Sequence, residues 1–268
     1  MCAGCARAPP WGPIPLTPID IAALIAIGLL AGFSNAVVGG GTLFTFPAIL
    51  AVGLSPVIAN ATTTVALWPG TVTSARAQLS ELKRSVHALY PRIIGATAGG
   101  LIGALLLLAS GDTLFFQLVP WLLAIATALF TFARQIVKRV ARIGEFTHGN
   151  TTALVAMEFV CAIYGGYFGA AIGILLLASM ALAGEHDMRS ANAQRNYLVC
   201  FINGIATLIF VVMGVVDWTV ALIVMAGAIA GGYIGGKFAR RLPGQFLRHL
   251  VTAAGVIFSI VYFVRAYG

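Results

Sequence analysis

The sequence predicts an all-α polytopic membrane protein, and three observations carry that prediction. Hydrophobic residues make up 60% of the 268 positions and charged residues only 9%, against about 25% charged in a soluble domain. Apolar stretches approaching the roughly 20 residues that cross a bilayer recur along the whole chain, and the mean hydropathy is +0.97. The second half then repeats the plan of the first. The expected architecture is two inverted-topology repeats of about five membrane segments each, with short broken helices among them.

The elements follow from apolar length and helix breakers. Residues 1–18, with five prolines, read as an irregular N-terminal lead. A first transmembrane repeat, with its basic connecting loop, covers 19–148. It begins with a span at 19–38, closed by Gly39-Gly40-Gly41, then a short run at 42–52 and a third segment from Pro56 to about Ala75. Arg76, Lys83, Arg84 and Arg92 fill a basic loop. Two spans at about 93–109 and 114–133 flank a tight turn at Ser110-Gly111-Asp112, and Arg134, Lys138, Arg139 and Arg142 form a second basic loop. A second repeat covers 149–268: a span at 151–169, a short run at 172–183, a segment at about 190–213, and spans at about 218–236 and 246–263 separated by Lys237, Arg240, Arg241 and Arg248.

One shift relates the halves. Gly41 pairs with Gly173 (173 − 41 = 132), and the same shift carries Ala59-Asn60-Ala61 onto Ala191-Asn192-Ala193 and Ala98-Gly99-Gly100 onto Ala230-Gly231-Gly232. Gly103 also falls on Gly235. Loop charge sets their orientation. The basic loop 76–92 maps onto the surroundings of Asp217, which lack Lys and Arg, while the turn at Asp112 maps onto the basic loop 237–248. Under the positive-inside rule the copies face opposite ways, which requires an odd number of crossings per copy and puts both termini outside.

Other classes find little support. The net charge of +8 sits in short loops, where membrane topology explains it and nucleic acid is not needed. Cys2 and Cys5 form a CxxC with no second pair or histidine cluster, so no metal is expected. GxSxG, HExxH and P-loop patterns are absent, and His87, His148, His186 and His249 are assigned to loops; the chain is not read as an enzyme and no cofactor is expected.

Candidate chemistry centres on the short elements. The run at 42–52 spans about 16 Å, half of the hydrocarbon, so one end must lie at membrane depth. Gly39, Gly40, Gly41 and Thr42 would present open backbone N–H groups at that helix start, a site for an anion; close helix packing is the competing role. Gly173 is the counterpart. For Gly99-xxx-Gly103 and Gly231-xxx-Gly235, close packing is preferred. Asn60, Thr62 and Thr63, with Asn192, Gln194, Arg195, Asn196 and Asn203, either complete an oxyanion cage or cap helix starts. Arg195 pairs with an anion or snorkels to the surface. Glu158 in the sixth span is a coupling candidate or faces a polar cavity. Trp68-Pro69-Gly70 is read as a kink in the third segment.

Ala31-Gly32-Phe33, Gly39-Gly40-Gly41 with Pro47 six residues on, Gly53-Leu54-Ser55-Pro56 and Ala61-Thr62 together resemble the sulfite exporter TauE/SafE family. The run Gly166-Tyr167-Phe168-Gly169-Ala170-Ala171-Ile172-Gly173 carries the resemblance into the second copy. It implies a carrier of the bacterial inner-membrane type for sulfite, sulfonates or related organosulfur anions; the leading expectation is alternating access on a small anionic substrate within that lipid bilayer. The chain departs from the family at Ala171-Ile172, where a glycine-rich run is usual, and at Asn35 and Gly165, where some relatives carry an acid. A carrier for another small organic acid is the alternative, and a membrane receptor or subunit without flux is a third. A homo-oligomer is left open.

Overall fold

A computed structural model describes residues 16–37, 40–82, 89–144, 151–185, 187–238 and 244–268. Ten α-helices account for nearly all of them. Residues 1–15 of the lead, with the CxxC, lie outside the described residues, as do Gly39, Lys83, Arg84, His87, His148, His186, Arg240 and Arg241.

Helix α1 (Pro18–Val37) runs up to the glycine break, and α2 (Thr42–Ala51) follows it as a half-length element carrying Pro47. α3 (Pro56–Ala77) starts on Pro56, where a missing N–H costs nothing, and contains Pro69. A 3-10 turn at Leu79–Glu81 closes this part. α4 (Tyr90–Thr131) is helical over 42 residues except at Gly111, where φ 66° and ψ 173° break it into two halves. The expected turn at 110–112 therefore takes a single residue, one that tolerates positive φ. α5 (Ala133–Gly144) follows after Phe132. Residues 134–142, expected as a loop, are helical instead.

The later elements are α6 (Thr151–Tyr167), the second half-length helix α7 (Ile172–Leu182), α8 (Met188–Val212), α9 (Trp218–Phe238) and α10 (Gly244–Tyr267). His249 is an exposed residue of α10, not of a loop. Among the described residues, four helices are long and apolar enough to cross a membrane, within α1, α4, α8 and α10.

Two kinds of contact hold the bundle. α1 lies parallel to α9, and the first half of α4 lies parallel to α6. Both pairs approach through glycine. A β-carbon on Gly28 or Gly32 would fall 2.4 and 2.0 Å from the carbonyl oxygens of Val224 and Ala228. One on Gly99 or Gly103 would fall 2.5 and 2.1 Å from those of Phe159 and Ile163. The Gly99-xxx-Gly103 pair thus serves packing, and Gly231 does the same against Leu29.

The second kind is antiparallel. α3 crosses α8 where the Trp68 indole donates to the Cys200 carbonyl at 3.1 Å, and Asn196 donates to Gln78 at 3.0 Å further along. The second half of α4 lies against α10, with Thr131 beside Thr252, Thr127 under Gly255 and Trp121 against Phe263 and Tyr267. Phe46, Phe115 and Phe168 fill the centre edge to face and seat α2 in the core.

Candidate functional site

The two half-length helices begin differently. At α2 the Gly41 N–H donates to the Asn35 side-chain oxygen at 2.8 Å. A β-carbon on Gly41 would meet that amide at 2.7 Å and the Ala31 carbonyl at 2.8 Å. Glycine is needed here so that the Asn35 amide can reach the backbone. Of the N–H groups expected to be open there, that of Gly41 is thus taken by the chain's own side chain, while among the described residues no backbone acceptor reaches that of Thr42. Gly40 holds φ 87°, and its open side faces Phe130 and Val251. Thr42 is half-buried at the first turn.

At α7 the chain arrives through Gly169 (φ 78°) and Ala171 (φ 62°). Ile172 takes the room that Gly165 leaves: a β-carbon at 165 would sit 2.9 Å from the Ile172 side chain. The two departures from the family pattern in this copy are thus one packing solution. Among the described residues, no backbone acceptor reaches the N–H groups of Ile172 and Gly173. Over Gly173 lies the Arg195 side chain, whose Cδ, Nε and Nη1 stand 3.1–3.5 Å from where a β-carbon would be. Arg195 does not snorkel to a helix end. Its Nε and Nη2 donate to the Asn196 side-chain oxygen at 3.1 and 2.8 Å, and Asn196 is fixed in turn by Gln78. Nη1 is left facing the helix start.

The polar residues of α3 lie inside the helix, not at its cap. Ser55 is the N-cap of α3, and Asp187 caps α8 by accepting from Arg189 and Ser190. Asn60, Thr62 and Thr63 are all buried. Asn60 donates to the Tyr167 carbonyl at 3.1 Å, and Thr62 accepts from the Asp217 N–H at 3.1 Å. The Asn60 oxygen, the Thr63 hydroxyl and the Tyr164 hydroxyl are buried with no hydrogen-bond partner. Each of these groups keeps its hydrogen-bonding capacity within the interior. Asn192 and Asn203 are half-buried on α8, and Asn203 precedes Gly204, which packs on the Trp68 ring.

Arg92 lies inside the bundle. Expected in a loop, it is the third residue of α4, 2% exposed, and pairs with Glu158, 0% exposed, on α6. The geometry is bidentate, Nε to Oε2 at 2.8 Å and Nη2 to Oε1 at 2.5 Å. Nη1 also donates to the Gln194 side chain on α8. Gln194 passes the connection on to Glu185 at 3.1 Å and Ser190 at 2.9 Å. Glu158 therefore faces a guanidinium rather than an open cavity. Residues 132 away from Arg92 and Glu158 are Val224 and Ala26, so this network exists in one half only.

The family model for sulfite exporter TauE/SafE matches residues 24–262. The chain belongs to that family. Its members are multi-pass membrane transporters of small solutes rather than enzymes. The chain is 26% identical over 236 residues to a probable membrane transporter protein of Haemophilus influenzae, covering 87% of this chain and 90% of the relative. It is 26% identical over 262 residues to the probable membrane transporter protein YfcA of Escherichia coli K12, covering 94% and 93%. It is 28% identical over 247 residues to the probable membrane transporter protein ORF9 of a Sinorhizobium species, covering 90% and 91%. No solved structure matches it.

Proposed function

We propose that this transporter moves a small oxyanion, sulfite or an organosulfonate, by alternating access through a site at the start of α7. One observation carries the reading: a guanidinium, Arg195, held over Gly173 at the open end of a half-length helix. The helix end supplies about half a positive charge and unpaired N–H donors, the arginine a full one, and glycine lets an oxygen reach the backbone. Planar Arg donors suit the paired oxygens of sulfur oxyanions and of carboxylates. Thr63 and Tyr164 offer further buried hydroxyls, and Asn60, Asn192, Gln194, Asn196 and Asn203 line the helices around them. Gly40, Gly41 and Thr42, with the Gly41 N–H held by Asn35, make the corresponding helix start of the first copy. The sulfur in the substrate rests on the family's description, and a small carboxylate is the alternative cargo.

For the architecture we infer two inverted repeats, 19–148 and 149–268, with both termini outside a bacterial inner membrane. Each parallel glycine-packed pair maps onto the other by the 132-residue shift. Each antiparallel pair joins a helix to its own counterpart, and Trp68 bonds the residue 132 positions on, Cys200. Equivalent helices that cross antiparallel are what a two-fold axis in the membrane plane produces. For coupling, Glu158 is the exchangeable group. Ionised, it neutralises Arg92; a proton on it would release the guanidinium toward an entering anion.

Flux into proteoliposomes of sulfite, organosulfonates and small carboxylates tests the function. Transport of a sulfur oxyanion is the expected result, preference for carboxylates selects the alternative, and no flux of any of them rejects the reading.

A further inference from the structure

Helix α5 has two faces. Arg134, Gln135, Lys138, Arg139 and Arg142 are exposed, whereas Ala133 is buried and Ile136, Val137, Val140 and Ala141 are half-buried. The apolar face is accounted for, since α5 packs on α7. The basic face is not. Between Asp112 and Glu145 the sequence contains no acidic residue, and among the described residues no salt bridge involves these four cations.

Its depth follows from chain geometry. From Gly111 to Phe132 is 21 residues (132 − 111 = 21), which as helix span about 31 Å, one hydrocarbon thickness. α5 therefore starts where the acyl chains give way to headgroups. Phe132, 54% exposed at the bend, turns an apolar ring outward just before the cations begin. A cationic stripe with period four, level with the headgroups and with no ion-pair partner among the described residues, is complemented by the anionic headgroups around it.

We propose that the exposed face of α5 is a binding surface for anionic phospholipid headgroups, and that headgroup contact steadies α7 beneath it. Phosphates of phosphatidylglycerol pair with Arg134, Lys138, Arg139 and Arg142 on the outer face while the aliphatic face holds α7. The inference does not depend on which solute is carried.

The test uses the full-length protein in nanodiscs of phosphatidylcholine with a graded fraction of phosphatidylglycerol. Native mass spectrometry reads retained lipid, and the thermal midpoint reads stabilisation. Wild type should retain phosphatidylglycerol in preference and melt higher as its fraction rises. In the Lys138→Gln/Arg139→Gln/Arg142→Gln variant, apparent lipid affinity should fall on the order of 100-fold, at roughly fivefold per charge removed near the surface. A control variant, Arg76→Gln/Arg189→Gln, removes exposed charge elsewhere and should behave as wild type. Equal lipid retention by the triple variant, or an equal loss in the control, overturns the proposal. So does an equal rise in midpoint with inorganic phosphate in lipid lacking phosphatidylglycerol.

Discussion

Consider replacing Arg92 by Met. The change removes two bonds to Glu158 and one to Gln194, and it leaves a carboxylate with 0% exposure facing no cation. Breaking one side of a buried pair costs about 3–5 kcal/mol, because the remaining charge stays buried. Glu158→Leu strands the guanidinium in the same way and should cost a similar amount. The double variant removes both charges, and apolar substitution of a whole buried pair is often neutral, so it should be more stable than either single change. Equilibrium unfolding in SDS mixed micelles, run as a double-mutant cycle, reads this directly. A coupling of about 3 kcal/mol or more is expected. Two costs that add to within about 0.5 kcal/mol would refute the view that the pair acts as a unit.

Four further outcomes follow from the same geometry. Gly173→Leu should keep expression and folding but abolish flux, since its β-carbon meets only the flexible Arg195 chain at 3.1 Å; normal flux would reject the α7 site. Gly40→Leu should instead lower the thermal midpoint, because φ 87° strains any side chain and Phe130 stands 3.0 Å away. Glu158→Gln should blunt the response of flux to a pH gradient; a full response removes Glu158 from coupling. In a cysteine-free background, cysteines at Thr113 and Gly244, near-equivalent positions of the two copies, should label from opposite sides; labelling from one side overturns the inverted arrangement.

Much of the fold was legible in the sequence because membrane helices announce themselves by length. The bounds of α2 and α7 were readable from glycine breaks and from runs too short to span. What escaped notice depended on contacts between distant segments. Arg92 looked like loop charge because it precedes an apolar run by one residue; the lone Glu158 in a span was the signal that a buried cation had to answer it. The i, i+4, i+8 spacing of Arg134, Lys138 and Arg142 is that of a helix face, whereas the charge density by itself reads as a loop. Asn35 gave no sign that it would reach the Gly41 N–H, because the reach depends on how the chain turns at the glycine break. The polar residues Asn60 and Asn192 were found, but their place inside helices depends on Ser55 and Asp187 starting those helices earlier.

The central claim is that an oxyanion is held between Arg195 and the start of α7, and uptake of sulfite and a small organosulfonate by wild-type and Arg195→Gln proteoliposomes tests it most directly. The account predicts saturable uptake by the wild type, and loss of it in a variant that still inserts and folds. Equal uptake by both proteins would contradict it.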